Sequence, residues 1–149
     1  MAVNAWVVED DRDFAELIAT AAATTPEVRV THFFGTGLEV LQSAPIAQEV
    51  DEWLPEILIV DVYAFKLDGE HSIDGITLAS TMCQIKPALK VLVISSIDVS
   101  RVLSAIADKG LGMWRSLQKT GSLSAADIAR ELTALVSLSR RKQVRTQKY

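Results

Sequence analysis

The sequence predicts a single α/β domain built on a doubly wound, five-stranded parallel sheet. Short apolar runs and helical patterns alternate five times along the chain, which is typical of a parallel sheet with helices on both faces. Three of the apolar runs are continuous rather than alternating, as expected for strands that are covered on both sides. A chain of 149 residues, 49% of them hydrophobic, is long enough to bury one substantial core.

The predicted strands are the five apolar runs, taken in chain order. They are residues 5–8 (AWVV), 28–34 (VRVTHFF), 57–60 (ILIV), 91–94 (VLVI) and 112–118 (GMWRSLQ). The last run is the least apolar of the five, which favours a place at the edge of the sheet.

The predicted helices lie between these runs. Four segments carry apolar side chains three or four residues apart, the spacing that places them on one helix face; they are residues 14–22, 76–83, 102–107 and 128–136. Gly110 is expected to end the third of these helices, and Ser124 with Asp127 forms a capping box that begins the fourth. A further helix is expected from about residue 36 and is broken at Pro45.

Charge is distributed unevenly along the chain. All 19 acidic residues precede residue 139, whereas five of the 15 basic residues lie within residues 140–148. Residues 1–138 therefore carry a net charge of −9, which argues against nucleic-acid binding by this part. Residues 139–149 are interpreted as a basic tail or linker.

The single cysteine excludes an internal disulfide. Since the sequence contains no secretory signal or membrane-spanning run, a cytoplasmic location is expected.

Polar side chains follow four of the predicted strands at their carboxyl ends. They are Glu9, Asp10 and Asp11 after the first strand, Asp61 after the third, Ser95 and Ser96 after the fourth, and Lys119 after the fifth. Ligands bind beyond the carboxyl ends of strands in sheets of this class. Carboxylates from two strands indicate a hard cation, of which Mg²⁺ is the natural candidate. A hydroxyl and an ammonium group beside them indicate that a phosphoryl group is the second ligand.

Four segments carry a resemblance to a known family: VVEDD, ILIVD, VLVISS and SLQKT, in this order. Over nearly all of residues 4–138 the sequence resembles the receiver domains of bacterial response regulators, the CheY-like phosphoacceptor domains of two-component systems. The resemblance implies a flavodoxin-like (βα)5 fold with strand order 2-1-3-4-5. It also implies a receiver domain at residues 1–138, followed by the tail or linker.

The resemblance assigns a phosphoacceptor and a metal site. Asp61 would accept a phosphoryl group from a sensor histidine kinase or a phosphotransfer protein and form an aspartyl phosphate. Together with Asp61, Asp10 would bind Mg²⁺ directly, Glu9 through water, and Tyr63 through its backbone carbonyl. Asp11 is instead predicted to be the N-cap of the first helix.

The resemblance also assigns residues that act on the phosphoryl group. Lys119 would pair first with Asp61 and then with the phosphoryl oxygens, and Ser95 would donate a hydrogen bond to the phosphoryl group and move toward it on activation. Ser96 would be the small residue beside the phosphorylation site. The surface formed by the family's fourth helix, fifth strand and fifth helix would then switch dimerisation or partner binding.

The sequence departs from the family pattern in the loop after Asp61. Phe65 replaces a usual proline, and Gly75 fits the distance to the fourth strand better than Gly69, which implies an insertion of about six residues within 65–74. His71 lies on this insertion and has no Cys or His partner nearby, so a metal role is not predicted.

The sequence also departs from the pattern around Lys119. Thr120 replaces a proline that often follows the lysine in this family through a cis peptide bond, and such a bond before threonine would cost about 2.5–4 kcal/mol. Ser116 stands where an aromatic residue is expected, and Trp114 would take that place only if the fifth strand were offset. In this family, the second residue after the phosphoacceptor and the second residue after the strand-four hydroxyl tune loss of the phosphoryl group. Here these residues are Tyr63 and Ile97, whose side chains position an attacking water poorly. A long-lived phosphorylated state is therefore expected.

Three alternatives remain open at this point. The first hypothesis is a receiver-like interaction module that is never phosphorylated. The second is a phosphatase of the haloacid-dehalogenase type, and the third is a flavodoxin-like cofactor binder. Tyr63 stands where the phosphatase needs a second aspartate, and residues 9–11 are not the Ser-, Thr- and Gly-rich loop that a flavodoxin needs.

DNA contact is expected only through a separate domain, because residues 139–149 are too few to form one. No membrane contact is expected, and a homodimer, a stand-alone receiver and part of a longer regulator all stay open.

Overall fold

The computed structural model describes residues 2–35, 55–62, 75–96 and 98–138. The elements in chain order are β1 (Val3–Val8), α1 (Arg12–Ala23), β2 (Val28–Phe34), β3 (Ile57–Asp61), α2 (Gly75–Ile85), β4 (Lys90–Ser95), α3 (Val99–Lys109), β5 (Met113–Gln118) and α4 (Ala125–Ser137). All five strands are parallel and form one sheet in the order β2-β1-β3-β4-β5. The predicted fold class and strand order are confirmed.

Several expectations lie outside the described residues. They are the helix from about residue 36 with its break at Pro45, the departures at Tyr63, Phe65 and Ile97, the insertion with Gly69 and His71, and the tail 139–149.

The helices cover both faces of the sheet. Helices α2 and α3 pack on one face, where Leu58 and Val60 of β3 point, and α1 and α4 pack on the other, where Ile57 and Ile59 point. Since β3 lies in the middle of the sheet, all five of its residues are buried. Double coverage therefore explains why this strand is a continuous apolar run that changes character only at Asp61.

The helix ends are fixed by the residues that the sequence indicated. Asp11 is the N-cap of α1, and Ser124 and Asp127 form the capping box of α4, each satisfying backbone N–H groups of the first turn. Gly110 ends α3 with a φ of +79°, a backbone conformation that favours glycine. Among the described residues, no helix has the length and apolar character needed to cross a bilayer.

Candidate phosphoryl and metal site

The site lies at the carboxyl edge of the two central strands β1 and β3. Val8 of β1 pairs with Val60 of β3 in the parallel ladder, so the next residues, Glu9 and Asp61, emerge side by side. Both carboxylates are buried, with 6% and 7% of their surface exposed, whereas Asp10 is exposed. The strand register therefore forces two acidic groups together where water can barely reach them.

Glu9, Asp10 and Asp61 form a cluster of three carboxylates. Each contributes one oxygen atom, and these atoms all lie within 4.8 Å of one another. Oε1 of Glu9 is buried, and its close contact is the Lys119 ammonium group at 2.6 Å. Three carboxylate oxygen donors this close together fit a hard cation such as Mg²⁺. Tyr63, the predicted source of a carbonyl ligand, lies outside the described residues.

Lys119 brings a positive charge into this cluster. Its Nζ lies 2.5 Å from Oδ2 of Asp61 and 2.6 Å from Oε1 of Glu9. The residue directly follows β5, and its backbone N–H donates to the carbonyl oxygen of Ser95 at 2.7 Å, which extends the β4–β5 ladder. The ammonium group therefore bridges the carboxylates that β1 and β3 deliver.

Burial and charge shift the protonation equilibria of this group. Burial, together with the neighbouring charge of Asp61, raises the pKa of Glu9 to about 7, against the opposing effect of the Lys119 ammonium. Burial also lowers the pKa of Lys119, but the hydrogen bonds and charges of Asp61 and Glu9 outweigh it, and the net change is upward. Lys119 therefore stays positively charged and neutralises part of the acidic cluster.

The third acidic residue of the run has a different role. Oδ1 of Asp11 accepts hydrogen bonds from the backbone N–H groups of Asp13 at 3.0 Å and Phe14 at 3.3 Å, which caps α1. The backbone N–H of Asp11 in turn donates to Oε2 of Glu9 at 3.3 Å. Three consecutive carboxylates are tolerated because two of them face the site and the third satisfies a helix terminus.

Comparisons with known proteins identify chains of similar fold. No protein-family model and no curated protein matches the chain. The structure is similar to the receiver domain of RcsB from Salmonella enterica serovar Typhimurium, solved with the phosphomimetic BeF3⁻, at a TM-score of 0.67 and 20% identity over 91% of this chain and 89% of that one. It is also similar to the response regulator domain of Thermotoga maritima CheB, at a TM-score of 0.67 and 17% identity over 95% of this chain and 98% of that one.

The signal receiver domain of the putative response regulator NarL from Mycobacterium tuberculosis gives a TM-score of 0.66 and 17% identity, over 92% of this chain and 98% of that one. The chain has the fold of a response regulator receiver domain. The similarity extends over nine-tenths of the chain or more in each case.

Ser95 occupies the end of β4 in this receiver fold. It follows Ile94, which pairs with Asp61 in the β3–β4 ladder, and only 2% of its surface is exposed. Ser96 is exposed. The register therefore places Ser95 next to the carboxyl end of β3, at the same edge of the sheet as the predicted phosphoacceptor.

Gly75 packs directly behind Asp61. It is the first residue of α2, and its backbone N–H donates to the carbonyl oxygen of Val62 at 3.0 Å. A Cβ atom at this position would lie 2.4 Å from the carbonyl oxygen of Asp61 and 2.8 Å from Cγ2 of Val60. Such a close approach requires glycine at this position. Gly69 lies outside the described residues, so the choice of Gly75 over Gly69 stays a prediction.

The structure describes the peptide bond after Lys119 and the pairing of β5. No peptide bond among the described residues is cis, so the Lys119–Thr120 bond is trans. The β4–β5 ladder runs without a register shift, with Trp114 opposite Val91 and Ser116 opposite Val93. Trp114 is partly buried and packs against the core cluster on the α2–α3 face of the sheet. Which residue takes the place of the family's aromatic stays a prediction.

One contact of the site was not predicted from the sequence. The ring of Phe14, in the first turn of α1, lies under the Lys119 ammonium group, with Nζ 4.3 Å from the ring centroid. Helical spacing identified Phe14 only as an apolar position on the inner face of α1. Because the two residues are far apart in sequence, no local pattern indicates that they meet.

Proposed function

We propose that the chain is a response regulator receiver in which Asp61 accepts a phosphoryl group from a histidine kinase or a phosphotransfer protein. One observation carries this proposal: the Lys119 ammonium lies 2.5 Å and 2.6 Å from two buried carboxylates that neighbouring strands deliver to the carboxyl edge of a receiver fold. A carboxylate nucleophile needs charge neutralisation and in-line positioning more than covalent machinery, and this arrangement supplies the charge.

In the proposed reaction an oxygen of Asp61 attacks the phosphorus atom of the donor. A P–O bond to Asp61 forms, and the bond between phosphorus and the leaving group breaks, with its electron pair going to the leaving group. Lys119 pairs with Asp61 before transfer and with the phosphoryl oxygens afterwards, and the Ser95 hydroxyl donates to one of them. Asp10, Asp61 and the backbone carbonyl of Tyr63 would hold Mg²⁺ directly and Glu9 would hold it through water, and the bound ion would supply further neutralisation of the phosphoryl oxygens.

We also propose a domain organisation for the chain and a surface through which it signals. Residues 1–138 form the receiver, which assists its own phosphorylation and dephosphorylation, and residues 139–149 form a basic tail or linker. Phosphorylation switches the surface formed by α3, β5 and α4, through which the chain dimerises or holds a partner protein in the cytoplasm. Tyr63 and Ile97 leave attacking water poorly positioned, so release of the phosphoryl group is slow.

The test is intact-protein mass after incubation with Mg²⁺ and acetyl phosphate. We expect a gain of one phosphoryl group in the wild type and in Asp108→Asn, a matched exposed aspartate at the end of α3. No gain is expected in Asp61→Asn, or in the wild type with EDTA. A folded wild-type protein that gains nothing would instead favour the unphosphorylated interaction module, and a gain that persists in Asp61→Asn would move the acceptor elsewhere. A phosphate-release time course with rapid loss would contradict slow dephosphorylation.

A further inference from the structure

The Lys119 ammonium group is held on three sides. Two sides are the carboxylates of Asp61 and Glu9, and the third is the face of the Phe14 ring, 4.3 Å from Nζ. An aromatic face attracts a cation through its quadrupole, and the attraction grows where water is excluded. The Lys119 side chain is only 19% exposed, so this contact lies in a largely desolvated site.

Phe14 is itself fixed in place by two constraints. Its backbone N–H donates to Oδ1 of Asp11, the N-cap of α1, which sets the position of the first helical turn. Its side chain is half-buried and packs against the core cluster on the α1–α4 face of the sheet, beside Leu17. The ring therefore presents a preset surface, whereas the lysine stem has four flexible carbon–carbon bonds.

We propose that Phe14 is a positioning residue for phosphoryl transfer: its ring holds the Lys119 ammonium at Asp61 and keeps water from that side. This inference rests on the proposed phosphoacceptor function. Lys119 must stabilise charge on the incoming phosphoryl group, and a preset ammonium costs no reorganisation at that moment. Phe14 acts only through Lys119, and its removal therefore slows transfer without removing the acceptor.

Three variants separate the aromatic face from simple packing. Phe14→Leu keeps an apolar side chain but removes the ring, and Phe14→Tyr keeps the ring face. Leu17→Ala loosens the same core cluster one turn along α1 and serves as the structural control. We expect Phe14→Leu to slow phosphorylation by acetyl phosphate about three- to ten-fold, while Phe14→Tyr stays within about two-fold of the wild type.

An NMR measurement tests the contact independently of phosphorylation. The ring current of Phe14 should shift the ε-methylene protons of Lys119 upfield, and Lys119→Arg identifies that signal by its loss. The shift should disappear in Phe14→Leu and persist in Phe14→Tyr and Leu17→Ala.

The two measurements distinguish the possible failures. A missing ring-current shift in the wild type, equal rates for Phe14→Leu and wild type, or equally slow Phe14→Leu and Phe14→Tyr would each overturn the positioning role. Slowing by Leu17→Ala as large as that of Phe14→Leu would reduce Phe14 to a packing residue. If the wild type shows the shift but takes up no phosphoryl group, the proposed function fails, and the kinetic role of Phe14 fails with it, although the contact exists.

Discussion

Replacing Gly75 with alanine should displace the backbone of the site, although it changes none of the functional side chains. The new Cβ would lie 2.4 Å from the carbonyl oxygen and 2.9 Å from the carbonyl carbon of Asp61. These are backbone atoms, which cannot rotate away as the end of a side chain can. Reaching ordinary van der Waals distance requires α2 or the end of β3 to shift by about 1 Å.

The magnitude of both effects follows from this contact. Overpacking typically costs about 1–3 kcal/mol, and Gly75 is the first residue of α2, where the helix propensity of alanine offsets little of that cost. At about 2–4 °C per kcal/mol for a chain of this size, we expect the melting temperature to fall by about 2–12 °C. A displacement of about 1 Å at a reacting group costs about 10²-fold in rate, so phosphorylation should slow far more than the loss of stability alone would suggest.

Two measurements test the Gly75→Ala prediction: the rate of phosphorylation by acetyl phosphate with Mg²⁺, followed by intact mass, and thermal unfolding. Gly112→Ala is the matched control, since its Cβ would meet only the carbonyl oxygen of Pro87, at an ordinary 3.5 Å. We expect that control to phosphorylate like the wild type. The reasoning is refuted if Gly75→Ala retains both the wild-type rate and the wild-type melting temperature.

Three further predictions concern the caps and the buried charges. Asp11→Ala removes two hydrogen bonds at the start of α1 and should lower the free energy of unfolding by about 1 kcal/mol, measured in urea; an unchanged midpoint would contradict the cap. Gly110→Ala places a Cβ at a φ of +79° and should cost about 1–2 kcal/mol by the same measurement while leaving phosphorylation unchanged. Lys119→Met leaves the carboxylates of Glu9 and Asp61 without their cation, at a cost of up to about 3–5 kcal/mol in EDTA. Added Mg²⁺ should then stabilise this variant more than the wild type, and an equal response of both proteins would argue against a metal at the cluster.

The elements of the sheet were predictable because their signals are local. Strand β3 is apolar at four consecutive positions and changes to a carboxylate only at its end. These five residues are therefore enough to predict that helices cover both faces of the strand and that Asp61 lies at its carboxyl end. The caps are equally local, because Asp11 and Ser124 act on backbone groups two or three residues away. The candidate site followed from one topological rule, that the carboxyl ends of parallel strands share an edge.

Other features were not predictable because they depend on register between distant segments. The residues of β4 that lie opposite Trp114 and Ser116 are set by the register of the folded sheet, which no local pattern within β5 indicates. The trans bond between Lys119 and Thr120 is likewise a property of the folded loop. The resemblance predicts that Lys119 pairs with Asp61. Its second contact, with Glu9, depends on the β1–β3 register, which places Glu9 beside Asp61.

By itself, the sequence determined the fold class, the strand order through its resemblance, and the residues placed at the carboxyl edge, since alternation, apolar runs and caps are read within a few residues. Only the tertiary structure decided that Gly75 lies against the backbone of Asp61 and that Phe14 covers the Lys119 ammonium. The physical reason is the range of the interactions. Backbone hydrogen bonding and hydrophobic spacing act along the chain, whereas close packing and desolvated charge act between atoms that only the folded chain brings together.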